Sequence, residues 1–170
     1  MSFASRVVWI TGASSGIGEA LARAMLAQGA EVILSGRRAD ALQALAAVAP
    51  ERTLVLPFET TDYDRLPALV EQAWGWRGRI DLLINNAGIM ACPLTRLDQG
   101  GGPGWEQQFG VNHLGHFALA QALMPLLVET ASKPDSDVRV VALSSTAHKM
   151  GDIRWDDPHW ESGEYDKWKA

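Results

Sequence analysis

The stretch "TGASSGIG", Thr11 to Gly18, lies between a short apolar run, "RVVWI", and an Ala/Leu-rich segment, "GIGEALARAMLAQG". Its glycines, Gly12, Gly16 and Gly18, are spaced G-x-x-x-G-x-G. Glycine at such a strand-to-helix turn allows positive φ and close backbone approach. Free N–H groups and the helix dipole then favour a pyrophosphate at the helix N-terminus. Gly12, Ser14, Ser15, Gly16, Ile17 and Gly18 are therefore candidate phosphate-contacting residues. A plain helix start capped by Ser14 or Ser15 is the simpler alternative. A P-loop NTPase fits less well, because no G-K-[S/T] ending is present and Glu19 follows the last glycine.

Outward from this loop the chain keeps a βαβ rhythm. "EVILSG" reads as a strand, Asp40 to Ala49 as a helix, "TLVLP" as a strand, Arg65 to Trp74 as a helix and "DLLINNAG" as a strand. The strands are almost continuously apolar, as expected of a parallel sheet covered on both faces. Gly29 stands at a plausible C′ position of the first helix. "IMACPLTRLDQGGGPG" reads as a long loop, and a long helix is expected from about Trp105 into "LLVETA". The turn "SKPDSD" and a fifth strand, "VRVVALSS", follow, and the remainder is polar, Trp-rich and aperiodic.

With 170 residues the chain is expected to form a single domain that buries about two-thirds of its unfolded surface. Its net charge of -5 and 47% apolar content disfavour a nucleic-acid partner. Cys92 is the only cysteine, which excludes an internal disulfide framework and reads as a small apolar residue in a reducing compartment. Without a signal-like start or a run approaching about 18 apolar residues, a cytoplasmic protein without membrane association is expected.

The second strand ends "SGRR". Gly36 stands where an acid would receive ribose hydroxyls, and Arg37 supplies a forked cation suited to a 2′-phosphate, so NADP is preferred and NAD remains possible. Arg37 and Arg38 as simply solvated charges is the alternative. His113 and His116 are one turn apart, with His148 and His159 downstream, but no ligand spacing completes a set and no metal site is expected. Trp155, Trp160 and Trp168 suit packing of the tail or the lining of an apolar entrance.

Four ordered motifs resemble the short-chain dehydrogenase/reductase family: "TGASSGIG", "NNAG" at Asn85 to Gly88, Asn112 in "VNHLGHF", and "VVALSS" ending at Ser145. "NNAGIM", "FGVNHLGHFAL" and "SSTAHKMGDI" are most similar to the retinol-dehydrogenase-like branch. The resemblance implies a Rossmann-like doubly wound parallel sheet in order 3-2-1-4-5, without the family's last strands. It implies that Asn86, Ala87 and Gly88 contact cofactor, that Glu59 and Asp62 in "FETTD" stand at the adenine side, and that Ser145 and Asn112 serve catalysis. Glu59 or Asp62 could instead cap the following helix. The implied reaction moves a hydride between NADP(H) and an aldehyde, ketone or alcohol, while a tyrosine of lowered pKa transfers the proton beside a lysine.

Tyr165 and Lys169 in "GEYDKWKA" have the spacing of that pair. However, only Ala170 follows, and a terminal helix this short bears an unfavourable nucleation cost. In the resembled branch a tyrosine commonly precedes the catalytic segment by a few residues, so Tyr165 and Lys169 read as a coincidental match in a truncated family member. A noncatalytic dinucleotide-binding or assembly module is the competing function. "VRVVALSS" then forms an unpaired sheet edge, a candidate surface for homo-oligomers.

Overall fold

A computed structural model describes residues 3–98 and 104–170; residues 99–103, part of the loop expected from the sequence, lie outside the described residues. Five parallel strands form the main sheet: β1 (Val7–Ile10), β2 (Glu31–Leu34), β3 (Thr53–Val55), β4 (Leu82–Asn85) and β7 (Arg139–Ala142), in spatial order β3-β2-β1-β4-β7. This is the expected order, with "VRVVALSS" supplying the fifth parallel strand. The expected long loop is not wholly irregular. It holds β5 (Arg96–Leu97), which pairs antiparallel with β6 (Trp105–Glu106) in a small separate ribbon.

Helices α1 (Gly16–Ala27) and α2 (Ala39–Ala46) cover one face of the sheet, and α3 (Leu66–Arg77) covers the other. A continuous helix, Gln107–Ala131, joins α3 there; it comprises α4 (Gln107–Phe109), a π-helical turn (Gly110–Leu114) and α5 (Gly115–Ala131). The alternation of β1 divides the core. Val7 and Trp9 pack with Leu69, Ala73, Leu83, Leu119 and Leu123, whereas Val8 and Ile10 pack with Ala22, Leu26, Val32, Leu42 and Ile84. Burial on both faces is why β1, β2 and β4 lack the polar alternation of a half-exposed sheet.

Helix Gln107–Ala131 is long and apolar enough to cross a membrane by length and composition. The sequence reading expected no such span. Here Leu119, Leu123 and Leu127 form a stripe at i, i+4 and i+8 that is buried in the core.

The helix ends follow local chemistry. Gly29 has φ +84°, its amide donates to Leu26, and the Ala30 amide donates to Met25, a Schellman motif closing α1. The long helix begins two residues later than expected, because Glu106 is its N-cap: Oε1 accepts from the Gln108 amide at 2.9 Å and Oε2 from Phe109 at 2.7 Å.

At the sheet end remote from the glycine loop, buried Asp81 accepts from Arg6, Arg79 and the Val7 amide. Burial alone would raise this carboxyl, but these donors outweigh it and hold it below the usual carboxylate range.

Candidate functional site

The strand order reverses between β1 and β4, so the loops leaving their carboxyl ends meet where a doubly wound sheet opens a crevice. Thr11 ties the two loops together. Its hydroxyl accepts from the Asn86 amide at 2.9 Å and the Ala87 amide at 3.0 Å, while Asn86 Nδ2 donates to the Thr11 carbonyl at 2.9 Å. The cleft beside this junction has a volume of about 550 Å³, within the range of small-molecule sites.

Four strand-end loops line it. The first supplies Gly12, Ser14, Ser15 and Ile17; the second Gly36, Arg37 and Arg38; the third Phe58, Glu59 and Thr60; and the fourth Asn86, Ala87, Gly88 and Ile89. Gly12 has φ +67°, and a Cβ there would lie 2.8 Å from Ala87 Cα. Gly18 serves packing: a Cβ would fall 2.2 Å from the Gly12 carbonyl oxygen. Gly16 also takes positive φ. Ser15 occupies the N-cap position of α1 without a side-chain capping bond, so the serine-capped alternative does not describe this residue. The first-turn amides and the helix dipole therefore suit an anion, and the residues present fit a dinucleotide pyrophosphate.

At the second loop, Arg37 pairs with Glu59 at 3.6 Å, and both side chains are largely exposed. Glu59 thus faces Arg37 across the cleft and does not cap the following turn. Arg38 donates to the Ser14 carbonyl at 2.6 Å and so steadies the glycine loop, a contact that a purely solvated charge lacks. Asp62 lies outside the residues lining the cleft; it pairs with Arg65 at 3.5 Å and makes no side-chain cap.

Asn112 sits in the π-helical turn, and its side chain is committed. Nδ2 donates to the Ile89 carbonyl and Oδ1 accepts from the Ile89 amide, both at 2.9 Å. This pair links the cleft to a second cavity of about 270 Å³, formed by Asn112, His113, Ala147, His148, Trp160, Trp168 and Lys169 among others. Ser145 lies two residues before that lining, and its Oγ accepts from the Ala147 amide at 3.1 Å as the cap of the next turn.

Tyr165 is placed differently from a proton-transfer tyrosine. Its hydroxyl donates to the buried Glu106 carboxylate and accepts from Gln108 Nε2, each at 2.9 Å. Burial, reinforced by Glu106, pushes the phenol up to about 12, away from phenolate at neutral pH. Lys169 pairs with Asp166 at 3.6 Å.

The histidines disperse. His116 is buried against Thr11, His113 stacks on Phe109, and His159 stacks on Trp105. Among the described residues no group of three His, Cys, Asp or Glu side chains gathers as a metal site. Trp160 is buried, whereas Trp155 is exposed, and Cys92 is only half-buried rather than core. Sequence reading missed Thr11, His116 and Glu106. The first two had a signal in the threonine opening the glycine loop and a histidine four residues after Asn112; glutamate is an uncommon N-cap and gave none.

A doubly wound α/β sheet with a glycine turn and anion-accepting helix start at its switch point defines a dinucleotide-binding fold of Rossmann type. The short chain dehydrogenase family model matches residues 6–156, and the chain belongs to that family. Over its full length it is 36% identical to a "Probable oxidoreductase" of Streptomyces lividans, covering 55% of that protein. It is 38% identical to retinol dehydrogenase 12 of Mus musculus across 89% of this chain and 47% of that one. The solved 3-ketoacyl-(acyl-carrier-protein) reductase of Brucella melitensis, complexed with NADH, superposes with TM-score 0.67 and 27% identity over 77% of this chain and 54% of that one. The chain spans about half the length of the curated relatives it matches.

Proposed function

We infer that the chain carries the cofactor-binding part of an oxidoreductase that moves hydride between NADP(H) and a carbonyl or alcohol carbon. The observation that carries this reading is the cleft in which the glycine loop, Arg37, Asn86 and Gly88 converge at the switch point. A bound nicotinamide dinucleotide would supply the hydride. Gly12, Ser14, Ser15 and Ile17 would hold its pyrophosphate and Asn86 to Gly88 would flank its nicotinamide side.

The NADP preference rests on Arg37 and Arg38 together with Gly36, where no carboxylate repels a 2′-phosphate. The exposed Arg37–Glu59 pair is worth at most about 1 kcal/mol, so a dianionic phosphate can displace Glu59. NADH in the Brucella relative makes NAD the natural competitor. The second cavity would receive the substrate beside Asn112, with Ser145 at its edge stabilising charge on the reacting oxygen. Relatives that are oxidoreductases favour this enzyme reading over a noncatalytic module. We also place a self-association surface at β7, whose four residues are all exposed, and the protein in the cytoplasm.

Titration of the folded chain with NADPH and NADH by calorimetry tests the cofactor assignment. Saturable binding with NADPH favoured is expected; tighter NADH binding overturns the preference, and failure of both to bind overturns the function.

A further inference from the structure

His116 is buried on the sheet-facing side of the long helix, one turn beyond Asn112. Its Nε2 lies 3.1 Å from Thr11 Oγ1, and its Nδ1 lies 3.1 Å from the Asn112 carbonyl oxygen. The hydrogen-bond inventory decides which nitrogen carries the proton. The Thr11 oxygen has two lone pairs and one hydrogen. Both lone pairs are taken by the backbone amides of Asn86 and Ala87. The hydroxyl's one hydrogen has two acceptors in reach, His116 Nε2 at 3.1 Å and the Ile84 carbonyl at 3.4 Å, and the nearer is Nε2. A hydrogen on Nε2 would face an oxygen with no free lone pair, so Nε2 is the bare, accepting nitrogen. Nδ1 then carries the hydrogen and donates to the Asn112 carbonyl.

That carbonyl belongs to the π-helical turn, a feature often found at functional sites. The Asn112 side chain is already fixed to Ile89. Burial favours neutral imidazole and outweighs the opposing hydrogen bond to the Asn112 carbonyl, with neighbouring His113 adding to the lowering. One side chain thus bridges the first residue of the glycine loop and the turn between the two cavities.

We propose that His116 is a positioning residue, fixed as the neutral Nδ1–H tautomer between the Thr11 hydroxyl and the Asn112 carbonyl, which couples the dinucleotide cleft to the π-helical turn. The coupling part rests on the function proposed above; the tautomer does not. Both are read on uniformly 15N-labelled protein at pH 7, with and without NADPH: the tautomer from long-range 1H–15N correlation spectra of the imidazoles, and the coupling from the Asn112 amide signals. His116 is expected to show a protonated Nδ1 and a bare Nε2, retained in Thr11→Ser and lost as a single form in Thr11→Val. His116→Phe, which keeps a ring of similar size, is expected to shift the Asn112 amide signals and weaken NADPH binding about five- to ten-fold, the effect of roughly one net hydrogen bond.

An Nε2–H or doubly protonated His116 in the wild-type protein overturns the proposal. So does a folded His116→Phe with unshifted Asn112 signals and unchanged NADPH affinity. If the wild-type chain binds no NADPH yet shows the expected tautomer and the Asn112 shift, the positioning role stands and the dinucleotide reading alone falls.

Discussion

Gly18→Ala places a methyl group where the glycine loop and α1 are in closest contact. Its Cβ would lie 2.2 Å from the Gly12 carbonyl oxygen and 2.5 Å from Asn86 Nδ2, against the 3.4 Å at which ordinary contact begins. Relief requires a displacement of about 1.2 Å on the shorter contact. The partners cannot yield cheaply: one is backbone, and the other is an amide donating to the Thr11 carbonyl at 2.9 Å. Overpacking of this kind costs about 1–3 kcal/mol. Alanine recovers about 1 kcal/mol through helix propensity. Taking the upper part of the overpacking range, the net loss is about 1–2 kcal/mol, a fall in Tm of roughly 2–8 °C for a chain this size. Moving the helix start also misaligns its amides, and NADPH affinity is expected to fall at least about ten-fold, as for one charge-assisted hydrogen bond. Gly75→Ala is the control, because its Cβ meets nothing within 4 Å in the last turn of α3. It should raise Tm by at most about 2–4 °C, the full helix-interior gain, and leave NADPH affinity unchanged. Thermal unfolding and fluorescence titration read both effects. A Gly18→Ala protein with unchanged or raised Tm and wild-type NADPH affinity would refute the reasoning.

Arg37→Ala should reduce NADPH affinity about ten-fold or more in calorimetry while changing NADH affinity little, since the lost contact is to the 2′-phosphate alone. The only two tyrosines, Tyr63 and Tyr165, are both pushed up to about 12, Tyr63 by burial. Absorbance at the phenolate band should therefore show no tyrosine ionising between pH 6.5 and 9. Because both folded values exceed the unfolded one, their contribution to stability is present below about pH 10 and declines as pH rises towards 12. Tyr165→Phe should lower stability by about 1 kcal/mol in urea without altering NADPH affinity; a change in affinity would connect Tyr165 to the cofactor cleft. Asp81→Asn should cost about 2–4 kcal/mol at pH 7, as Arg6 and Arg79 lose their buried carboxylate. The depressed Asp81 pKa stabilises the fold above about pH 4 and loses that contribution as pH falls further, so the difference between the two proteins should shrink in acid.

The main sheet was legible because burial on both faces leaves a simple mark: "VVWI", "EVIL" and "LLIN" are apolar or nearly so, and helical periodicity separates them. Gly29 was equally readable, since a left-handed C′ position selects glycine chemically. The β5–β6 ribbon was hidden because each strand has two residues, too few for alternation to register. The late helix start and the π-helical turn were hidden for another reason. Glu106 is buried because Phe109, Gln108 and Tyr165 supply its donors, and Tyr165 arrives from 59 residues away. The Tyr165–Lys169 spacing was read as a coincidental match, but local spacing could not show the carboxylate that faces the phenol. Within the cleft, the glycines and Arg37 could be named in advance, whereas the Thr11–His116–Asn112 bridge depends on two loops and a helix meeting in space.

The dinucleotide cleft is tested most directly by isothermal calorimetry of the 170-residue chain with NADPH, its folded state checked by circular dichroism. One saturable site per chain is predicted, with NADPH bound more tightly than NADH. A folded chain that gives no saturable binding of either dinucleotide would contradict the account.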